Sequence, residues 1–474
     1  MKYRIERDSV GEKQVPSEAY YGVQSLRAFE NFSITGRHLH PKMVKNLAII
    51  KKACAITNEK VGILPKEKAD AIKFACDEIL SGKYLKEFLT DPIQGGAGTS
   101  ANMNANEVIA NIANEYMGGK RGTYEFVHPN DHVNMGQSTN DVYPSAGKLG
   151  ALDLIEESLK ELDRLFEALE DKAEEFQSIL KMGRTQLQDA VPMTLGQEFK
   201  AYASVISRDC RRIRNASKAI KVLNMGGTAI GTGINVDKNY FDMIVPEISK
   251  LTGYDLVQAE DLIDGTNNLD GLVEVSSAFK TCAVNLSKIC NDLRLMGSGP
   301  KTMIADIILP AKQNGSSIMP GKVNPVIPEV VNQVAFKVIG NDLTISMCAE
   351  GGQLELNAFE PVLFYSLYES IEYMTHAVAT LVDNCIVGIL PNEAQLKHDI
   401  ETSVGTVTAF VPHIGYQKSA DIAKESLKTG VPLRTLILRD KLLTEEEINE
   451  ILDPSAMTRP GIAAEYLIKQ KNQK

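Results

Sequence analysis

The sequence lacks an excess of positive charge and lacks any long apolar run. Its 51 Lys and Arg residues are outnumbered by 61 Asp and Glu residues, and the net charge is −10. This balance disfavours nucleic acid and anionic membranes as partners. No run of about 18 apolar residues occurs, so we expect no membrane-spanning helix. The first eight residues carry no apolar core after their charges, which disfavours a secretory signal.

Paired cysteines are also lacking. The seven cysteines are an odd number, no CxxC motif occurs, and most of them lie among apolar residues with helical spacing. We expect buried, reduced thiols, which are typical of a reducing compartment, and we therefore predict a cytoplasmic location. His128 and His132 could bind a metal ion, but no third ligand follows at a suitable spacing, so we predict no metal site.

Helical periodicity is strong in the middle of the chain. Apolar residues alternate in steps of four and three from Leu152 to Phe176, and again from Leu272 to Leu293. This spacing predicts long helices that pack along their lengths. Three further stretches are helix-permissive and carry prolines near their starts: residues 192–224, 325–350 and 360–387. We therefore predict a mainly α protein with a central bundle of long helices.

The predicted bundle lies between two regions of different character. Residues 1–139 mix short helical patterns with glycine-rich loops, and residues 395–474 have the shorter periodicity of a small helical domain. These changes predict three domains, at residues 1–139, 140–394 and 395–474. Several bundle helices are apolar on more than one face, which predicts a homo-oligomer. The alternative is that the flanking domains cover these faces.

The strongest functional signal lies at residues 315–324, which read Gly-Ser-Ser-Ile-Met-Pro-Gly-Lys-Val-Asn. Two glycines and a proline exclude a regular helix or strand there. Two hydroxyls, a cation and an amide come from Ser316, Ser317, Lys322 and Asn324. Such a loop can stabilise the negative charge that develops when a proton is removed beside a carboxylate. An ordinary surface loop is the alternative for Gly-Ser-Ser alone, and the residues that follow disfavour it.

Three further polar clusters precede predicted helices. They contain Thr99, then Ser138, Thr139 and Asn140, and finally Thr185 and Gln186. Their side chains suit helix caps, and helix N-termini also favour bound anions such as carboxylates. The alternatives are a glycine turn before Thr99, simple capping near Ser138 and a structural Arg184–Asp189 pair. The glycines before Thr99 match neither GxGxxG nor GxxxxGK[ST], so we predict no nucleotide site. The HExxH and GxSxG motifs of other enzyme classes are also absent.

Together these four segments resemble the aspartase/fumarase superfamily, whose signature loop reads Gly-Ser-x-x-Met-x-x-Lys-x-Asn. Residues 315–324 match every fixed position, and the resemblance extends from residues 20–23 to His413. It implies three mostly helical domains and a homotetramer whose central helices form one large bundle. It also implies that each active site combines segments from three different chains.

The resemblance implies a lyase that acts on a small dicarboxylate without an organic cofactor. Residues 137–141, 182–192 and 325–333 are similar to the members that convert L-aspartate reversibly to fumarate and ammonia. Ser316 would remove the proton beside the side-chain carboxylate and form an enediolate, with Lys322 and loop N–H groups stabilising the serine alkoxide. The resemblance assigns the enediolate oxygens to Thr99, Ser138, Thr139 and Ser317, the other carboxylate to Lys322, Asn324 and Thr185, and the amino group to Asn140 and Gln186.

Two positions separate this chain from class II fumarases. Those enzymes typically have Ser-Ser-Asn-Asp and Gly-Arg-Thr-His where this chain has Thr139 and Gln186. Glutamine cannot act as a general acid, and water is a poor leaving group without one, whereas ammonia can leave from an amine that is already protonated. The sequence thus favours deamination of aspartate. A class II fumarase, a lyase of another N-substituted aspartate, a catalytically silent relative and activation by a divalent cation are the alternatives left open.

Overall fold

The structure, a computed structural model, describes residues 2–471 and is mainly helical. Its α-helices are α1 (Val23–Asn31), α2 (Pro41–Lys60), α3 (Lys66–Leu80), α4 (Thr99–Tyr116), α5 (Thr139–Glu175), α6 (Leu195–Ala216), α7 (Lys238–Thr252), α8 (Leu262–Asn267), α9 (Asp270–Met296), α10 (Val326–Glu350), α11 (Glu360–Asn384), α12 (Glu393–Thr402), α13 (Val407–Ile414), α14 (Tyr416–Thr429), α15 (Leu433–Arg439), α16 (Glu445–Ile451), α17 (Pro454–Met457) and α18 (Glu465–Lys471). None of the described helices is long and apolar enough to cross a bilayer.

The strands of the described residues form small two-stranded sheets. They are β1 (Tyr3–Asp8), β2 (Gly11–Pro16), β3 (Leu180–Thr185), β4 (Gln188–Thr194), β5 (Val222–Leu223), β6 (Val257–Gln258), β7 (Ile307–Ile308) and β8 (Leu390–Pro391). The pairs β1–β2, β3–β4 and β7–β8 are antiparallel, whereas β5 and β6 are parallel. The mainly α fold predicted from the sequence is confirmed.

The predicted long helices correspond to α5, α6, α9, α10 and α11. The prediction of a helix over residues 192–224 is wrong at both ends. Residues 188–194 are strand β4, and α6 begins only after a capping box in which Gln197 N donates to Thr194 Oγ1 and Thr194 N donates to Gln197 Oε1, each at 3.0 Å. At the other end, residues 222–223 pair with β6 instead of continuing the helix.

The described chain divides into two compact units. The first contains residues 1–160, 209–284 and 334–375, apart from the undescribed first residue. Within it, Tyr368 Oη donates to Gly147 O at 2.7 Å and joins α11 to α5. Ser276 Oγ donates to Asp342 Oδ1 at 2.8 Å and joins α9 to α10. Tyr368, Ser276 and Asp342 are buried, so these bonds join two pairs of the predicted long helices inside this unit.

The second unit contains residues 161–208, 285–333 and the described part of 376–474. Its tail has an apolar core that includes Phe410, Leu436, Ile437 and Ile448. Helix α16 begins with a capping box, in which Glu447 N donates to Thr444 Oγ1 at 3.2 Å. All seven cysteines are free and buried, as predicted. The domain boundaries at residues 139 and 394 stay predictions.

Candidate active site

The signature loop, residues 315–324, lies between β7 and α10 and has no regular structure, as predicted. Its two ends are tied together: Gly315 N donates to Lys322 O at 2.8 Å, and Asn324 Nδ2 donates to Gly315 O at 3.0 Å. A Cβ atom on Gly315 would lie 2.9 Å from the carbonyl carbon of Lys322. Only glycine therefore permits this closure of the loop.

Within the loop, Ser316 is half-buried and Lys322 is exposed. Ile318 N donates to Ser316 Oγ at 3.2 Å, so the hydroxyl oxygen already has one backbone donor that would stabilise an alkoxide. Among residues 2–471, no acidic side chain forms an ion pair with Lys322, whereas two of the three buried lysines, Lys172 and Lys181, are paired. The loop therefore presents the Ser316 oxygen, which accepts a hydrogen bond from Ile318 N, and the ammonium group of Lys322, which no acidic side chain neutralises within the described residues.

Thr185 and Gln186 lie at the tip of the β3–β4 hairpin. Thr185 pairs with Gln188, which leaves Gln186 and Leu187 as a two-residue turn with φ angles of 53° and 63°. Left-handed backbone at non-glycine residues costs roughly 1–3 kcal/mol each and is characteristic of functional sites. The whole tip is exposed in the single chain. A strained tip with exposed amide and hydroxyl groups suits contact with a ligand.

Buried charges anchor this hairpin. Arg184, directly before Thr185, bonds Asp306 at 2.8 Å and Asp399 at 3.0 Å, and Lys181 lies 3.2 Å from the same Asp306. The predicted Arg184–Asp189 pair is present but looser, at 3.9 Å. Burial raises the pKa of Asp306, and the two cations oppose that rise. The side chain of Asp306 is fully buried. Its ion pairs with Lys181 and Arg184, which both lie on β3, therefore fix the position of the hairpin.

In the first unit, Thr99 opens α4 and is exposed. The preceding Gly98 has φ 87° and lies so close to the ring of Tyr143 that a Cβ atom there would overlap it. Because a helix N-terminus carries partial positive charge, the hydroxyl of Thr99 lies where a carboxylate is favoured.

Ser138, Thr139 and Asn140 form the start of α5. Ser138 Oγ accepts a bond from Asn140 N at 3.2 Å, so capping is part of its role, as one alternative held. Thr139 is almost buried, and its Oγ1 accepts from Asn102 Nδ2 at 3.1 Å. Asn140 Nδ2 donates to Ala229 O at 2.7 Å, which fixes the orientation of the amide.

Comparisons with known proteins decide the family. A family described as "Lyase" matches residues 11–340, and one described as "Fumarase C C-terminus" matches residues 407–459. An aspartate ammonia-lyase from a Bacillus species is 52% identical over 97% of this chain and 98% of that protein. The chain belongs to the aspartase/fumarase superfamily.

Solved structures of the superfamily share the fold. A fumarate lyase:delta crystallin from Brucella melitensis, solved with cobalt bound, has a TM-score of 0.94 and 47% identity, and covers 97% of this chain and 100% of its own. A class II fumarase from Schistosoma mansoni has a TM-score of 0.92 and 36% identity, with the same coverage. The predicted superfamily fold is therefore confirmed.

A buried lysine behind the α5 start was missed in the sequence. Lys51 is fully buried on α2 and donates to Asn134 Oδ1 at 2.9 Å and to Gln137 Oε1 at 2.8 Å. Asn102 Nδ2 reaches both Asn134 Oδ1, at 3.2 Å, and Thr139. Burial lowers the pKa of Lys51 to about 8. Hydrogen bonds thus connect the buried Lys51, through the amides of Asn134 and Asn102, to the hydroxyl of Thr139, which is predicted to bind substrate.

A glycine-rich loop at residues 225–235 was also missed. Its backbone donates to the fully buried Asp141 through Gly226 N at 3.2 Å and Thr228 N at 3.1 Å, and Ser138 N donates to the same carboxylate at 2.9 Å. Burial raises the pKa of Asp141 to about 6, although the three N–H donors oppose the rise. The spacing Gly-Gly-Thr-Ala-Ile-Gly-Thr-Gly, from Gly226, is the signal that could have revealed this loop.

The two histidines that were considered as metal ligands have structural partners. His128 Nδ1 accepts from Asn130 N and Asp131 N, both at 3.3 Å. His132 Nδ1 accepts from His128 N at 2.8 Å. Within residues 2–471, no group of three or more His, Cys, Asp or Glu side chains could hold a metal ion.

Proposed function

We propose that this chain catalyses the reversible deamination of L-aspartate to fumarate and ammonia, as a carbon–nitrogen lyase. The observation that carries the proposal is the signature loop, where Ser316 Oγ accepts from Ile318 N at 3.2 Å and Lys322 has no acidic partner within the described residues. Identity of 52% to an aspartate ammonia-lyase over nearly the full length supports the same substrate. Hydration of fumarate, the alternative, is not favoured.

In the proposed reaction, Ser316 Oγ accepts the proton from the carbon beside the side-chain carboxylate. The electron pair of the broken C–H bond passes through the enediolate and forms the carbon–carbon double bond as the C–N bond breaks. Ammonia leaves with the electron pair of that bond. The reaction transfers no electrons to an acceptor, and we therefore propose that it needs no organic cofactor.

The other predicted residues would bind the negative charge and the amine. We propose that Thr99, Ser138, Thr139 and Ser317 donate to the enediolate oxygens, and that Lys322, Asn324 and Thr185 bind the second carboxylate. Asn140 and Gln186 would orient the amino group. The bond from Asn140 Nδ2 to Ala229 O supports this assignment, because it leaves Asn140 Oδ1 to accept from the substrate ammonium.

Fumarate absorbance measures the proposed substrate preference directly. We expect the purified protein to form fumarate from L-aspartate at least about a hundred-fold faster than from L-malate, because Gln186 cannot protonate a departing hydroxide. A protein denatured by heat is the control. Equal or faster formation of fumarate from L-malate would establish a fumarase instead.

We also propose a homotetramer in which each active site combines segments from three chains. Helix α10 supports an oligomer, since Phe336, Leu343 and Met347 lie along one of its faces and are 64%, 66% and 60% exposed. Free and buried cysteines support the predicted cytoplasmic location.

Mixed tetramers distinguish shared sites from sites made by one chain. Ser316→Ala and Thr139→Val each remove one site residue, and we expect each variant alone to be nearly inactive. If the two residues of a site come from different chains, random mixing restores about one site in four. Activity is measured after the variants are unfolded and refolded together, with separately refolded variants as the control. No recovery from a well-formed tetramer would contradict shared sites.

A further inference from the structure

The hydrogen bonds between the buried Lys51 and the hydroxyl of Thr139 run in one fixed direction. An ammonium group can only donate hydrogen bonds, so the side-chain atoms that face Lys51 Nζ must be oxygens. They are Asn134 Oδ1, at 2.9 Å, and Gln137 Oε1, at 2.8 Å. Asn134 Nδ2 donates to the backbone oxygen of Gln137 at 3.2 Å, which requires the same orientation of the Asn134 amide. Lys51 and the backbone thus fix Asn134 Oδ1 as an acceptor.

The orientation of Asn134 in turn determines that of Asn102 on α4. Asn102 is 1% exposed, and its Nδ2 lies 3.2 Å from Asn134 Oδ1 and 3.1 Å from Thr139 Oγ1. An amide nitrogen carries two hydrogens, so it can donate to both oxygens. The reversed amide would bring the oxygen of Asn102 against that of Asn134, and two carbonyl oxygens repel each other. The observed orientation is kept although Asn102 Oδ1 is buried and has no hydrogen-bond partner among the described residues.

Thr139 Oγ1 is consequently an acceptor, and its own proton is left for a ligand. Within residues 2–471, no acceptor receives a hydrogen bond from the hydroxyl of Thr139, which lies at the start of α5. A hydroxyl that accepts a hydrogen bond is also a stronger donor, because successive hydrogen bonds polarise one another. If the amide of Asn102 were reversed, the Thr139 hydroxyl would donate to Asn102 Oδ1, and its proton would no longer be available to a ligand.

We propose that Asn102, oriented by Lys51 through Asn134, is a positioning residue that keeps the proton of the Thr139 hydroxyl directed at the carboxylate of a bound substrate. Lys51, Asn134 and Asn102 act through Thr139 and are not catalytic residues. The identity of the substrate rests on the proposed function, whereas the direction of these hydrogen bonds does not. A purely structural role of Asn102 would lower the stability of the protein without changing what Thr139 contributes to binding and turnover.

A double-mutant cycle between Asn102→Leu and Thr139→Val separates these two roles. Leucine has nearly the shape of asparagine but no donor, and valine replaces the hydroxyl of threonine with a methyl group. With L-aspartate as the substrate, we expect kcat to fall about a hundred-fold in Thr139→Val and about ten-fold in Asn102→Leu, whereas KM should change less. Asn102→Leu should cause no further loss in the Thr139→Val protein, because the hydroxyl that Asn102 positions is already absent.

Binding of succinate gives the same cycle without turnover. Succinate is a dicarboxylate that has no amino group to lose, and calorimetry measures its dissociation constant. We expect Thr139→Val to raise this constant about five-fold and Asn102→Leu about three-fold, with no further rise when the two are combined. Lys51→Met removes the donor that faces Asn134 Oδ1 and should weaken binding in the same direction as Asn102→Leu.

Asn104→Leu is the matched control. Asn104 is fully buried two residues further along α4, where its side chain donates to Glu87 O at 2.9 Å and accepts from Leu89 N at 3.0 Å. Asn104→Leu should therefore lower the urea midpoint of unfolding, as Asn102→Leu does, but leave kcat and the binding of succinate unchanged. If Asn102→Leu is unfolded, Asn102→Ala takes its place in the cycle.

A loss in Asn102→Leu that disappears in the Thr139→Val protein supports the positioning role. Additive losses in the two variants, no loss in Asn102→Leu, or an unaltered protein that neither converts L-aspartate nor binds succinate would overturn it. If the unaltered protein forms no fumarate from L-aspartate but the succinate cycle shows the expected coupling, the proposed function is refuted and the positioning role of Asn102 stands.

Discussion

Replacing Ser316 with alanine is expected to reduce the turnover of L-aspartate by about a thousand-fold, within the range that a general base contributes. Ser316 Oγ is half-buried and has a backbone donor 3.2 Å away, whereas no other group of the loop combines basicity with such a donor. The variant should fold normally, because within residues 2–471 the side chain of Ser316 forms only this local hydrogen bond. Steady-state production of fumarate measures the loss, and circular dichroism checks the fold.

Ser317→Ala is the matched control for this experiment. Ser317 is the exposed neighbour of the base and has the proposed role of a donor to the enediolate. Its loss should reduce turnover by about a hundred-fold, and exchange of the substrate proton with deuterated water should continue. In Ser316→Ala the exchange should stop. Near-normal turnover or continued exchange in Ser316→Ala would show that another group is the base.

Replacing Asp306 with asparagine is expected to lower the free energy of unfolding by about 3 kcal/mol, the lower end of the range for breaking a buried ion pair. Asp306 is fully buried between Lys181, at 3.2 Å, and Arg184, at 2.8 Å. Asparagine has nearly the same shape, so the change isolates the charge. Lys181 keeps Glu198 as an acidic partner, and Arg184 keeps Asp399 and, at 3.9 Å, Asp189, so the upper end of the range is not expected. Urea unfolding at neutral pH measures the effect.

Asp399→Asn is the control that removes an acidic partner of Arg184 which is less buried than Asp306. Asp399 also bonds Arg184, at 3.0 Å, but its side chain is 18% exposed. Solvent screens this pair more strongly, so its loss should cost about 1 kcal/mol or less. Equal effects of the two substitutions would show that burial of Asp306 does not set the strength of its pairs. In Asp306→Asn the KM for L-aspartate should also rise, since Arg184 directly precedes Thr185.

The long helices could be predicted because their apolar spacing is a local property. Alternation in steps of four and three places apolar side chains on one face whatever the partner is, and α5 and α9 follow that pattern closely. The hairpin of β3 and β4 could not be predicted in the same way. Whether residues 188–194 join a helix or a strand depends on the strand beside them and on the capping box of Thr194 and Gln197.

Lys51 and Lys52 illustrate the same limit at the site. The two lysines are neighbours in sequence with identical side chains, yet Lys51 is fully buried and Lys52 pairs with Asp77 near the surface. Only the contact of α2 with residues 134–137, which precede α5, decides which of them supports Asn134.

The sequence alone determined the mainly helical fold, the superfamily and the residues of the signature loop. It could do so because helical spacing, turn residues and the ten-residue motif each depend on residues that are close together in the chain. Tertiary structure alone decided that Asp306 anchors the hairpin and that Lys51 and Asp141 support the start of α5. The physical reason is that burial and pairing of charge depend on residues far apart in the chain, and their cost or benefit exists only once folding has brought those residues together.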